Sequence, residues 1–180
     1  MRLFIAVNFP EDVKDALCAD VSALRDASVT GNFSRRENLH LTLAFLGETH
    51  PRRVMDIRRI MDGIGGKASN AAITGFGSFG RGGERILWRG LKLDPSVRAM
   101  RDSLISGLKD AGFTPDDKPF KPHITVARRA GLPPEFSEKG FASGLSDIPF
   151  RIDAVSLMLS ERVGGKLTYS ELYRTSLPQE

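Results

Sequence analysis

Two histidines of this chain stand in matching short motifs, each followed two positions later by a threonine. The first motif pairs His40 with Thr42, and the second pairs His123 with Thr125; both lie in apolar runs typical of β-strands. Because side chains alternate between the two faces of a strand, each histidine shares a face with its own threonine. Two imidazoles and two hydroxyls brought together would form a compact acid–base site for a small anion.

The two imidazoles suit a reaction that removes a proton at one position and delivers one at another. An unperturbed imidazole has a pKa near ~6.5, so one ring can be a free base while the other is a charged acid. Threonine hydroxyls one strand repeat away, at roughly 6.5–7 Å, can donate to non-bridging phosphate oxygens. Hydrolysis of a phosphodiester fits this set, and a strained 2′,3′-cyclic phosphate fits it well.

A metal or cofactor site is not expected from these motifs. Zinc takes three or four His, Cys or carboxylate ligands, and neither motif carries Asp, Glu or Cys on its histidine face. Glycine patterns of the phosphate-loop and dinucleotide-binding types are missing. The single cysteine, Cys18, falls in a predicted helix and is interpreted as an inert thiol.

The composition indicates an ordinary globular chain with a mild basic excess. The 180 residues carry a formal net charge of +4, with 41% hydrophobic and 27% charged residues. An anionic partner is compatible with this charge but not required by it. No run reaches the ~20 apolar residues of a membrane span, and no signal peptide is recognisable, so a cytoplasmic protein is expected. Nothing in the sequence demands more than a monomer.

Hydrophobic periodicity predicts a mixed chain of strands and helices. Helices are expected to begin near Pro10, Pro51 and Pro95, and a short helical turn is expected within 131–146. Besides the two motif strands, the expected strands cover 3–8, 32–36, 71–79, 85–93, 150–160 and 166–175, with loops at 80–83 and 117–122. Since strands and helices do not alternate strictly, antiparallel sheets with helices packed outside are favoured over a parallel sheet.

The two motifs lie close to half a chain length apart, each in a stretch with several strands and one long helix. A duplicated α+β lobe with a pseudo-two-fold axis explains this recurrence, and chance similarity between two apolar strands is the alternative. Strict alternation places Phe45 on the face opposite His40, and Arg128 on the face opposite His123.

The residues around the motifs resemble those of a known family. The chain is similar to the 2H phosphoesterase superfamily, and within it to the bacterial and archaeal RNA 2′,3′-cyclic phosphodiesterases once named 2′-5′ RNA ligases. The matching segments are His40-Leu41-Thr42-Leu43-Ala44-Phe45-Leu46-Gly47, Pro122-His123-Ile124-Thr125-Val126-Ala127-Arg128, the first strand with Phe4, the strand with Trp88, and the closing segment with Gly165-Lys166-Leu167-Thr168-Tyr169. The resemblance therefore covers most of the chain.

The resemblance implies a single bilobal domain over 1–180, with two antiparallel sheets facing a central cleft. It implies metal-independent opening of an RNA 2′,3′-cyclic phosphate to a 2′-phosphate, without a cofactor. His40 and His123 would be the acid–base pair, and Thr42 and Thr125 would bind the phosphate. Which histidine is the acid depends on the orientation of the substrate and stays open.

Further substrate contacts are expected beside this core set. The resemblance suggests Arg128 as a contact to the anionic substrate. Phe4, Trp88 and Phe120, together with Phe79, are candidates for stacking on bases, and ordinary packing is the alternative for each.

Two other functions remain open at the level of sequence. The same site could run the reaction in reverse, as a 2′-5′ RNA ligase in which a 5′-hydroxyl attacks the cyclic phosphate. A non-catalytic protein that binds RNA ends through a basic cleft is the third candidate. Product analysis separates hydrolysis from ligation, and tight binding without turnover would indicate the non-catalytic protein.

Overall fold

The chain folds into an α+β structure. The computed structural model describes residues 1–80, 85–116 and 118–179. The described strands are β1 (Arg2–Asn8), β2 (Thr30–Phe33), β3 (His40–Glu48), β4 (Ser69–Phe79), β5 (Ile86–Leu93), β6 (His123–Gly131), β7 (Ile148–Ile152), β8 (Ala154–Val163) and β9 (Lys166–Ser176). The described α-helices are α1 (Glu11–Asp26), α2 (Val54–Asp62), α3 (Pro95–Asp110) and α4 (Glu138–Ser143). Single 3₁₀ turns at Arg36–Asn38 and Pro51–Arg53 precede β3 and α2.

The strands form two antiparallel sheets, as the sequence predicted. One sheet has the order β3-β1-β8-β9 and the other the order β2-β6-β5-β4-β7. The two His-x-Thr motifs therefore belong to different sheets, because His40 begins β3 and His123 begins β6. The two motif strands contact each other where the sheets meet.

The helices form where proline, acidic residues and apolar spacing direct them. Pro10 precedes α1, and Glu11 and Asp12 lie in its first turn, where negative charge stabilises the positive end of the helix dipole. Asp94 caps α3 by accepting a hydrogen bond from the Ser96 amide at 2.9 Å, and Pro95 occupies the first helical position. The three long helices α1, α2 and α3 each bury one apolar stripe.

A common hydrophobic core joins the helices to the sheet faces that point away from the motif histidines. On β3 the buried side chains include Leu41 and Leu43, and on β6 they include Ile124 and Val126. These side chains belong to the same cluster as the stripes of α1, α2 and α3. Core packing thus fixes which face of each motif strand is left for the histidine and the threonine.

The predicted strand over 150–160 is wrong as a single element. The chain leaves one sheet at the end of β7, which pairs with β4, and enters the other at β8, which pairs with β1. Asp153 occupies the break, where its carbonyl accepts from the Leu177 amide at 2.7 Å and its carboxylate lies 3.2 Å from Arg174. Aspartate is depleted in strands, so it marks the crossing between sheets.

Two smaller expectations concern loops and membranes. Of the loops expected at 80–83 and 117–122, residues 81–83 and 117 lie outside the described residues. Within the described ranges, no helix has the length and apolar character that crossing a membrane requires.

Candidate active site

A cavity of about 1240 Å³ opens between the two sheets at the motif strands. His40 and Thr42 line it from β3, and His123 and Thr125 line it from β6. Both pairs are partly exposed, whereas the residues that alternate with them, Leu41, Leu43, Ile124 and Val126, are buried. Folding thus brings two motifs from distant parts of the chain to the same space.

A β-bulge in β3 changes which side chains follow the first motif into the cavity. Thr42 pairs with Ala6, and Ala44 pairs with the adjacent Ile5, so Leu43 is an extra residue without a partner on β1. One extra residue inverts the alternation beyond it. Phe45 therefore lines the cavity with His40, and the expectation that it faces away is wrong.

The same irregularity recurs in β6 at the matching position. Thr125 pairs with Trp88 and Ala127 pairs with the neighbouring Leu87, which leaves Val126 unpaired on β5. Beyond this bulge Arg128 lines the same cavity as both histidines, contrary to the alternation rule. Phe45 and Arg128 thus hold corresponding places, each five positions after its histidine, and the two halves of the site differ there in charge.

Each imidazole is oriented by a backbone carbonyl two residues before it. The Nδ1–H of His40 donates to the Asn38 carbonyl at 2.8 Å, and that of His123 donates to the Lys121 carbonyl at 2.7 Å. A carbonyl can only accept, so this contact places the proton of the neutral ring on Nδ1. The Nε2 atom of each ring is then the one available for proton transfer, and that of His40 lies 3.0 Å from the Thr42 hydroxyl.

Aromatic rings pack against His40 and shield much of its imidazole from solvent. Phe4 lies 4.8 Å from the imidazole between ring centroids, and Tyr169 lies 5.2 Å away in an edge-on arrangement. Burial lowers the pKa of His40 from 6.5 to about 4, and the charges of Arg128 and His123 act in the same direction. The hydrogen bond to the Asn38 carbonyl opposes that shift. His40 is therefore neutral near pH 7 in the free protein.

The expected base-stacking residues occupy different settings. Phe4 is only 2% exposed, so its ring packs behind His40 and presents little surface to a ligand. Trp88 and Phe120, together with Phe79, line a second cavity that His123 shares with the first. Phe79 meets the His123 ring edge-on at 5.0 Å and lies 5.2 Å from the ring of Trp88.

Several arginines of the chain form ion pairs with acidic side chains. Arg89 is 1% exposed and forms an ion pair with Asp20, so it cannot contact a ligand in the cleft. Arg36 binds Glu11 and Asp15 on α1, and Arg85 lies 3.5 Å from Glu138. Arg35 lines the central cavity with Arg128, and Arg81 lies outside the described residues.

Tyr169 lines the cavity beside His40, although neither motif predicts it. It belongs to β9, far from both motifs in the sequence, and reaches the cavity because β9 pairs with β8. Burial raises the pKa of its hydroxyl. Only the pairing of the last two strands places this ring against His40.

Metal-ligating side chains do not converge in this region. Among the described residues, no three His, Cys, Asp or Glu side chains are grouped as a metal ion would require. Neighbouring groups of the motif histidines are instead carbonyl, hydroxyl, aromatic and guanidinium groups.

Comparison with known proteins finds relatives that are similar to this chain in sequence and in fold. The chain is 31% identical over 129 residues to the RNA 2′,3′-cyclic phosphodiesterase of Geobacillus stearothermophilus, a match over 70% of this chain and 41% of that relative. It is 30% identical over 139 residues to the RNA 2′,3′-cyclic phosphodiesterase of Archaeoglobus fulgidus, over 77% and 78% of the two chains. A crystal structure of a Thermus thermophilus protein superposes over 100% of both chains with a TM-score of 0.80 and 26% identity.

The family assignment rests on most of the chain. The sequence model of the 2′-5′ RNA ligase superfamily matches residues 13–164, a range that includes both His-x-Thr motifs and the strands around them. The similarity to the Archaeoglobus relative and the fold shared with the Thermus protein agree with this match. The chain therefore belongs to the 2′-5′ RNA ligase superfamily.

Proposed function

We propose that this protein is a phosphodiesterase that hydrolyses RNA 2′,3′-cyclic phosphate ends to 2′-phosphates. The observation that carries the proposal is the convergence of His40, Thr42, His123 and Thr125 on one cavity from two sheets. The similarity to RNA 2′,3′-cyclic phosphodiesterases from Geobacillus and Archaeoglobus supports the same reaction.

In this reaction a water oxygen attacks phosphorus and the bond to the ribose 3′-oxygen breaks. A neutral imidazole takes the proton of the water, and an imidazolium gives a proton to the departing 3′-oxygen, so the product is a 2′-phosphate. Both rings act through Nε2, because Nδ1 is engaged with a backbone carbonyl in each. The side of the cleft on which the 3′-oxygen lies decides which histidine serves as base and which as acid.

The phosphate itself is held by groups next to the imidazoles. The hydroxyls of Thr42 and Thr125 donate to its two non-bridging oxygens, where charge builds up as water attacks. Arg128 adds a full positive charge from the same wall of the cavity. These donors belong to the side chains themselves, so we propose that the reaction needs no metal ion.

The test is product analysis with an oligonucleotide that ends in a 2′,3′-cyclic phosphate. We expect a 2′-phosphate product, unchanged turnover in EDTA, and a loss of at least roughly 10²-fold in kcat for His40→Ala and for His123→Ala. The control is His50→Ala, since His50 is exposed, lies outside the cavity and accepts from the Arg52 amide at 3.2 Å. Substantial turnover in both motif variants would refute the mechanism.

Ligation by the same site is a second candidate, favoured by the family to which the chain belongs. A 5′-hydroxyl of another RNA would replace water as the nucleophile and form a 2′-5′ bond, with the same proton transfers. Incubation of a cyclic-phosphate RNA with a 5′-hydroxyl RNA measures both products. We expect hydrolysis to dominate because water greatly outnumbers RNA ends.

A further inference from the structure

A second cavity of about 500 Å³ lies beside the first one and shares His123 with it. Its walls include Phe79, Trp88, Phe120, Arg98 and Lys121. Trp88 pairs with Thr125 across β5 and β6, and Gly90 pairs with His123, so the floor of this cavity continues the sheet face that carries the second motif. The cavity is therefore open to a strand of substrate that extends past His123.

The indole of Trp88 forms a platform in this cavity. A Cβ atom at Gly77 would lie 2.5 Å from the indole Cζ2, and one at Gly90 would lie 3.4 Å from Cζ3. The indole therefore lies directly over the backbone of Gly77 and Gly90, where a larger side chain would crowd it. One face of the ring packs against the sheet, and the partly exposed Trp88 lines the cavity. Phe79 extends the aromatic surface from Trp88 to His123.

This platform offers a ring face and no hydrogen-bond donor. The indole Nε1 is buried and has no hydrogen-bond partner among the described residues, so it is not presented to a ligand in the cavity. A flat apolar surface of this kind stacks on any base, because every base has a π-face. The cavity is therefore suited to a nucleobase of any identity.

Positive charge lies at the rim of the same cavity. Arg98 and Lys121 are exposed, and neither forms an ion pair with a described residue. The Arg98 guanidinium lies 5.7 Å from the centroid of the Phe120 ring, which holds it near the aromatic surface. The terminal cyclic phosphate is assigned to the other side of His123, so these two cations are free to contact a second anionic group of the substrate.

We propose that this cavity binds the penultimate nucleotide of the RNA, with its base on Trp88 and the linking phosphodiester beside Arg98 and Lys121. The proposal rests on the proposed function, which places the terminal nucleotide in the larger cavity. An aromatic surface for a base and cations beside the backbone are two features of single-strand binding, and both occur in this cavity. The preferred substrate class is then an RNA end of two or more nucleotides rather than a cyclic mononucleotide.

A kinetic test compares a cyclic mononucleotide with a dinucleotide that has the same terminal nucleoside. For the wild type we expect kcat/KM to be roughly tenfold or more higher for the dinucleotide, which is the gain from one stacked base. This ratio should fall toward one in Trp88→Leu and in Arg98→Ala, and should be kept in the control Arg59→Ala, which alters an exposed arginine on α2 outside both cavities. The proposal would be overturned if both test variants kept the wild-type ratio of the two kcat/KM values. An equal loss of kcat/KM on both substrates counts as such a result.

A binding test separates the subsite from the chemistry. The chain contains a single tryptophan, so fluorescence excited at the red edge of the absorption band reports on Trp88 alone. A dinucleotide ending in a 2′-phosphate should quench this emission, and a mononucleotide 2′-phosphate should leave it nearly unchanged. Equal quenching by both would overturn the proposal, and the measurement stands even if the protein turns over neither cyclic phosphate.

Discussion

The two motif histidines have the same backbone contact but different surroundings. Both donate Nδ1–H to a carbonyl two residues earlier, yet only His40 is enclosed by Phe4 and Tyr169. A buried ring resists protonation because its charged form loses hydration. The similarity of the motifs in sequence therefore does not make the two imidazoles equivalent in the free protein.

The low pKa of His40 predicts a measurable titration. In an NMR titration of the histidine Cε1–H signals, we expect His40 of the free protein to show a pKa of about 4, compared with the ordinary value of 6.5. Binding of inorganic phosphate should raise this pKa, because an anion against the buried ring favours the imidazolium. A value of 6 or higher in the free protein would contradict the burial argument.

The same shift predicts a pH dependence of stability. Between pH 6.5 and 4 the unfolded chain binds a proton at His40 that the folded chain does not, so the free energy of unfolding falls as pH drops through this window. The free energy of unfolding that is lost reaches up to about 3 kcal/mol. Above pH 6.5, the pKa of this group in the unfolded chain, the shift causes no loss. Urea unfolding at several pH values should show this slope in the wild type and a shallower one in His40→Asn.

At the scale of the strand, the two bulges decide which side chains accompany each motif. Leu43 in β3 and Val126 in β6 are the unpaired residues, each three positions after its histidine. Both bulges leave two successive buried residues, Leu43 with Ala44 and Val126 with Ala127, where simple alternation would bury one. They turn Phe45 and Arg128 into the cavity. The repeated position of the bulge supports the proposal of a duplicated lobe.

Arg128 owes its place in the cavity to the bulge, and its removal is the matching test. We expect Arg128→Ala to lower kcat/KM on cyclic-phosphate RNA by roughly tenfold or more, because a positive charge beside the phosphate is lost. The pKa of His40 should rise at the same time, since Arg128 lowers it. Arg151→Ala, at an exposed position on β7 outside the cavity, is the charge-matched control. Unchanged kinetics and an unchanged His40 pKa would place Arg128 outside the site.

At the scale of the whole molecule, one buried arginine joins elements that are far apart in sequence. Arg89 on β5 pairs with Asp20 on α1, and it donates to the carbonyls of Gly75 at 2.8 Å and Ser146 at 2.9 Å. Its side chain is on the face of β5 opposite Trp88, in the layer between sheet and helix. This ion pair fixes α1 against the sheet that carries the second motif.

Loss of this arginine should therefore destabilise the fold rather than the chemistry. We expect Arg89→Ala to lower the free energy of unfolding by about 3–5 kcal/mol, because Asp20 and two carbonyls lose their partner. Arg174→Ala removes a surface ion pair with Asp153 and should cost less than about 1 kcal/mol. Denaturant unfolding of both variants checks the difference, and equal stabilities would show that the buried pair contributes little.

The sequence by itself determined which residues of each motif share a strand face. His and Thr two positions apart share a strand face whatever the rest of the chain does, since the bulge comes only after the threonine. The helix starts near Pro10 and Pro95 could be recognised in the same way. These features depend on residues that are neighbours along the chain.

Only the tertiary structure decided how these local pieces combine. The bulges depend on the register with β1 and β5, the break at Asp153 depends on which sheet each strand joins, and Tyr169 reaches His40 through the pairing of β8 with β9. Burial of Arg89 likewise depends on α1, which is distant in sequence. Such features arise from packing between remote segments, which no pattern along one strand encodes. The low pKa of His40 has the same origin, because the rings that shield it from solvent come from the first and last strands.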